Sequence, residues 1–184
     1  MDDPNTAPYR CRACGFTFDL GRAEQAGPLI VAGAGELAGI MQSRESEDLA
    51  HRSDPSVWSP LEYGCHVRDV LLVQRERVLA ARRTDRPSFD PMGRDERVAH
   101  DGYAEQQGDH VARQLEDAAG LLANVLARLG RPDWERRVVY NYPERQERSL
   151  RWVAAHTAHE VHHHLGDVDR QLGSTTVLHP LPAE

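Results

Sequence analysis

Five of the ten histidines fall within nine positions, in the stretch HTAHEVHHHLGD at 156–167. Histidines three, four and seven residues apart share one face of a helix, and His156, His159 and His163 have that spacing. An i, i+4 pair such as His159 and His163 can hold a metal from one side. A third ligand from another helix makes an open catalytic site, with room left for water or substrate. The expected donor is His66, within YGCHVRDVLL. His162 and His164 point elsewhere, and the HHH run must leave at least one imidazole, His162 above all, at the surface. His156 is a pocket or supporting residue, one helical step from His159. The segment also spells HExxH over His159-Glu160-Val161-His162-His163, the zinc-protease signature in which the glutamate activates water. No downstream third ligand follows it, and a protease is not expected.

Cys11 and Cys14, in CRACGFTF, resemble half of a zinc ribbon or rubredoxin knuckle. A closed zinc site takes four ligands, so three readings stay open: a turn that caps the bundle through Phe16 and Phe18, a metal site completed from elsewhere or by a second subunit, or a redox pair. Cys65 adjoins His66 but points about 100° away on a helix, which makes it a core residue.

Helices must position these groups. A first is expected somewhere between Arg22 and Arg52, weakened by Gly27, Gly33, Gly35 and Gly39. The second opens at Ser59-Pro60-Leu61-Glu62, a capping serine, a proline at the first helical position and a glutamate at the third, and runs to about Arg83. A third covers about 109–129 and is stopped by Gly130 and Pro132. The fourth covers about 149–171, between Ser149 and Gly173. Two long connections, 84–107 and 131–148, separate the last three helices, and loops of that length are often functional. Only RRVVYNY at 136–142 reads as extended. The expectation is an all-α four-helix bundle at 23–173, preceded by a tail and CxxCG turn at 1–22 and followed by a tail at 174–184.

The 184 residues suit one domain. A net charge of −7 argues against a nucleic-acid partner. All 22 basic residues are arginine, which excludes Schiff-base lysine chemistry and a Walker-type phosphate site. Three cysteines are too few for a disulfide scaffold. No apolar run suggests a signal peptide or a membrane span, so a cytoplasmic protein is expected.

SPLEYGCHVRDVL and HEVHHHLGDVDRQL resemble the second and last helices of the DinB-like superfamily, in the form whose last helix reads roughly HExxHHLxD. The resemblance spans about residues 25–172. It implies an up-down-down-up bundle with a long crossover and a metal triad of His66, His159 and His163. Aligning instead on the family's HxxxH form makes Glu160 and His164 the last-helix ligands with His66. The all-histidine register is preferred because it fits without a gap. Asp69 and Asp167, one turn from His66 and His163, are candidates to orient the imidazoles. The resemblance further implies a divalent metal, Zn first and Ni or Mn as alternatives. It also implies a small electrophilic substrate and a low-molecular-weight thiol such as mycothiol as cosubstrate in an S-transferase or isomerase. The nucleophile would be a metal-activated water or thiolate, with Glu160 as a candidate acid–base group. A homodimer is a further expectation. The competing class is a non-catalytic bundle whose histidines store, sense or are held by metal, with the open position filled by protein.

Overall fold

The computed structural model describes residues 9–142 and 144–173. The outer parts of the expected tails, 1–8 and 174–184, lie outside the described residues. Four long helices dominate: α1 (Ala26–Ser43), α3 (Pro60–Arg83), α5 (Gly108–Leu126) and α7 (Leu150–Leu172). Shorter helices α2 (Ser46–Ala50), α4 (Arg94–His100) and α6 (Arg131–Trp134) lie between them. Five strands are described: β1 (Tyr9–Arg10), β2 (Thr17–Phe18), β3 (Ser88–Phe89), β4 (Arg137–Asn141) and β5 (Arg145–Ser149).

The termini of the long helices follow from local chemistry. Ser59 Oγ accepts from the Glu62 amide at 3.3 Å, and the Glu62 carboxylate accepts from the Ser59 amide at 2.8 Å. This reciprocal cap satisfies two donors that the first turn of α3 leaves open. Arg52 completes the arrangement by donating to Glu62 at 2.7 Å. Ser149 Oγ accepts from the Trp152 amide at 3.2 Å and opens α7, while Gly173, at φ 62°, closes it. α5 buries Val111, Leu115, Ala118, Leu122 and Val125 along one stripe.

The glycine-rich α1 is a full helix of 18 residues, although its propensity is poor. Tertiary packing outweighs propensity here. A Cβ at Gly33 would stand 2.8 Å from Val161 Cγ1, so the glycine is what allows α1 to lie close against α7. Each of α1 and α3 packs against both α5 and α7, and the buried core runs through Ile30, Leu37, Leu71, Leu115, Leu122 and Leu165.

The two long connections are more ordered than the sequence suggests. β3, from the first, pairs parallel with β4 of the second, and β4 pairs antiparallel with β5. The expected extended piece at 136–142 is the centre of this three-stranded sheet. The first connection also carries α4 and a 3-10 turn at Tyr103–Glu105. The Tyr103 hydroxyl, fully buried, donates to Asp69 Oδ2 at 2.6 Å. Among the described residues no helix is long and apolar enough to cross a membrane.

Candidate metal centre

The histidine-rich segment lies wholly on α7 and presents two adjacent stripes. Positions 159 and 163 form one stripe and positions 160 and 164 the next, about 100° round the helix. The two stripes meet different partners. His66, from α3, gathers with Glu160 and His164, with one donor atom of each within 4.8 Å of the others. His159 and His163 gather with Cys11 and Cys14, under the same limit. His66, His159 and His163 thus do not stand in one donor set; the two registers read from the sequence fall on separate groups. The HExxH signature has its histidines on one stripe and its glutamate on the other, although His159 and Glu160 also gather with His156 in a third set.

The His66 group is built on rigid elements. His66 is 4% exposed, and its ring packs against Trp58 at 5.1 Å and edge-on to His164 at 5.0 Å. Tyr63 stacks on His164 at 5.2 Å. His66 Nδ1 is buried without a hydrogen-bond partner, a costly state for a polar atom unless something binds there. His164 Nδ1 lies 2.8 Å from Asp167 Oδ2, and its Nε2 lies 3.6 Å from Glu160 Oε2. The carboxylate of Asp167 therefore fixes the ring and leaves Nε2 facing Glu160 and His66, the usual carboxylate–histidine pairing of metal ligands. Asp167 also lies 3.7 Å from His163 Nε2 and pairs with Arg170.

The electrostatics of the group are polarised. Burial, aided by the charge of His164, pushes His66 down to about 4, so it is a neutral donor at physiological pH. Burial also disfavours charge on His164, but hydrogen bonds to Asp167 and Glu160 outweigh it and hold the group up at about 9. Burial would raise Glu160, yet the imidazoles of His159 and His164, 3.7 and 3.6 Å from its carboxylate, keep it an anion far below the usual carboxylate range.

Asp69 is placed differently from the sequence expectation. Its carboxylate accepts from Arg68 at 2.7 Å, Arg97 at 2.9 Å and Tyr103, so it holds the 84–107 connection onto α3. Cys65 is fully buried in the core. His156 stacks on Trp152 at 4.5 Å and has Nε2 3.9 Å from Glu160.

Glu160 and His156 line a cavity of about 500 Å³. Its other lining residues come from α3 (Gln74, Arg77), the segment 89–96, the β4–β5 hairpin (Tyr140) and the first turn of α7 (Trp152). Arg77 is 8% exposed. It donates to the Asp90 carbonyl at 2.9 Å and lies over the rings of Tyr140 and Phe89. Among the described residues no carboxylate forms an ion pair with it. Tyr140 in turn donates to Gln74 at 3.0 Å. The sequence carries a signal for the α3 wall residues: positions 66, 70, 74 and 77 form one continuous stripe of that helix.

A profile of the DinB superfamily matches residues 30–168, a span that begins after the N-terminal hairpin and includes His66, Glu160 and His164. A solved structure, YfiT from Bacillus subtilis, is similar with a TM-score of 0.74 and 13% identity, over 92% of this chain and 97% of that one. It is described as "a probable metal-dependent hydrolase with an unusual four-helix bundle topology". Comparison with curated proteins returned no match. At this identity the likeness to YfiT is one of fold, and it agrees with the all-α bundle expected from the sequence. Together with the sequence profile, it establishes that the chain belongs to the DinB superfamily.

Proposed function

We propose that the chain is a divalent-metal-dependent enzyme acting on a small, anion-bearing electrophile, with the ion held by His66, Glu160 and His164. The observation that carries this reading is the position of Glu160, which belongs to the donor group and also lines the cavity. Three protein ligands with an open side are the mark of a catalytic site, whereas storage or structural sites are closed. Among the described residues no fourth histidine, cysteine or carboxylate joins this group. Two imidazoles and one carboxylate suit zinc, and the unpartnered His66 Nδ1 fits a ligand.

A divalent cation there would supply Lewis acidity and favour the nucleophilic form of a water or a thiol. The chain's own residues do the rest. Asp167 orients His164 so that Nε2 is presented. Arg77, cationic and without an acidic partner among the described residues, would hold a carboxylate or phosphate of the substrate. Phe89, Tyr140 and Trp152 supply apolar wall that excludes water and strengthens charge interactions inside.

Two nucleophiles fit the same site. Water is favoured by the His-Glu-His donor set, which is the set of several zinc hydrolases, and by the description of YfiT. A thiol, in an S-transferase or isomerase, is favoured by the family resemblance of the two signature helices. The test is turnover of carboxylate-bearing esters, amides and epoxides by zinc-loaded protein, with and without added thiol. Activity that requires metal and is lost in His66→Ala supports the enzyme reading, and its dependence on thiol separates the two nucleophiles. A folded, zinc-loaded protein silent with every class would favour the non-catalytic bundle.

A further inference from the structure

The second donor group stands on different residues and different chemistry. We infer that Cys11, Cys14, His159 and His163 form a closed, four-ligand zinc site that fastens the N-terminal hairpin to the last helix. All four donor atoms lie within 4.8 Å of one another. A tetrahedral zinc with ordinary Zn–S and Zn–N bonds has ligand atoms roughly 3.3–3.8 Å apart. Closure therefore takes a contraction of about 1 Å, within the reach of side-chain rotation.

The local backbone suits a thiolate knuckle. The Cys11 amide donates to the Phe16 carbonyl at 2.8 Å, and the Gly15 amide donates to the Cys11 carbonyl at 2.8 Å. Gly15 sits at φ +75°, a left-handed position that glycine occupies without strain. The turn thereby brings both cysteines to the same place as the histidine pair.

The histidines carry the independent observation. Both ring nitrogens of His159, and Nδ1 of His163, are buried without a hydrogen-bond partner. His163 Nε2 faces Asp167 at 3.7 Å, so Nδ1 is the nitrogen left for a metal. A disulfide between the cysteines would satisfy none of these nitrogens, whereas one zinc satisfies a nitrogen of each ring.

The fold also needs the staple. β1 and β2 are two residues each, and a two-stranded hairpin of that size has little stability alone. Phe18 packs on the His159 ring at 4.7 Å and Phe16 at 5.6 Å. His162 Nε2 lies 3.2 Å from the Cys14 carbonyl. Cys14, Phe16 and His162 border a second cavity of about 570 Å³, so it is the count of four protein ligands, which leaves a zinc no open position, that marks the site as structural. The match to the superfamily profile begins at residue 30, so the hairpin that supplies the two thiolates lies outside it.

The test is cobalt substitution of the full chain, beside zinc analysis. Wild type should bind about two metals per chain and the Cys11→Ser/Cys14→Ser variant about one. Cobalt-loaded wild type should show thiolate-to-metal charge transfer in the near ultraviolet, lost in the cysteine variant and retained in His66→Ala. Should the cysteine variant not fold, titration of wild type with an organomercurial must release zinc in step with blocking of Cys11 and Cys14. A cobalt spectrum without thiolate bands, thiol blocking that releases no zinc, or recovery of the cysteines as a disulfide would overturn the inference. The His66 site would be untouched by that result.

Discussion

The two faces of α7 use nearly the same residues for opposite ends. On one, Glu160 and His164 meet His66 of α3, and Glu160 borders a cavity lined by Arg77 and aromatic rings. On the other, His159 and His163 meet two thiols, and Phe16 and Phe18 pack on the His159 ring. The number and softness of the donors separate the roles. Three nitrogen and oxygen donors leave a cation reactive and open, while two thiolates and two imidazoles saturate it. His159 adjoins both groups, since its Nδ1 is 3.7 Å from Glu160. A metal-bound His159 would hold that carboxylate in place, so the closed face can order the open one.

The largest effect is expected from His66→Ala. It removes one of three ligands, and metal-dependent turnover should fall by about 10³-fold or more, with the thiolate bands of the cobalt protein unchanged. An equal loss of those bands would show that the two faces are not separate.

Asp69→Asn breaks neither group and tests the attachment of the 84–107 connection to α3. It leaves Arg68 and Arg97 facing a neutral amide in a buried place, at a cost of about 3 kcal/mol at neutral pH. Burial opposes ionisation of Asp69, but hydrogen bonds from Arg68, Tyr103 and Arg97 outweigh it and hold the group below its ordinary value. The stabilisation is therefore fully present above the unfolded value, about 4, and is lost as pH falls through the depressed folded value. Urea unfolding should show the gap between variant and wild type closing in acid. A gap that is constant with pH would contradict this assignment.

Asp167→Asn should weaken metal binding at the open site by roughly 10–100-fold through loss of the His164 partner. Chelator competition would measure it; because Asp167 also faces His163 Nε2 at 3.7 Å, the thiolate bands of the closed site are read alongside and should remain present. The smallest effect is expected from Arg77→Gln, which should raise KM about 10-fold for carboxylate-bearing substrates, at unchanged metal content. An equal change for neutral analogues would remove Arg77 from substrate recognition.

Much of this arrangement is legible in the amino-acid order. Ser59-Pro60-Leu61-Glu62 announces α3, Ser149 and Gly173 bound α7, and the spacing of histidines identifies α7 as the ligand helix. Which stripe of α7 faces His66 is not legible, because the rotation of that helix is set by packing such as Gly33 against Val161, not by residues near the histidines. The partners of Cys11 and Cys14 are hidden for a related reason. CxxC and HxxxH stand at opposite ends of the chain, and only the bundle brings them together. The small sheet escapes notice because β3 is two residues long and pairs with a strand just over fifty residues away, Ser88 with Val139.

The most direct test is a crystal structure of the zinc-loaded protein with an anomalous difference map at the zinc edge. The account predicts two peaks per chain, one bound by His66, Glu160 and His164 beside the cavity, the other by Cys11, Cys14, His159 and His163. A single peak bound by His66, His159 and His163, or no peak at His66 in zinc-replete protein, would contradict it.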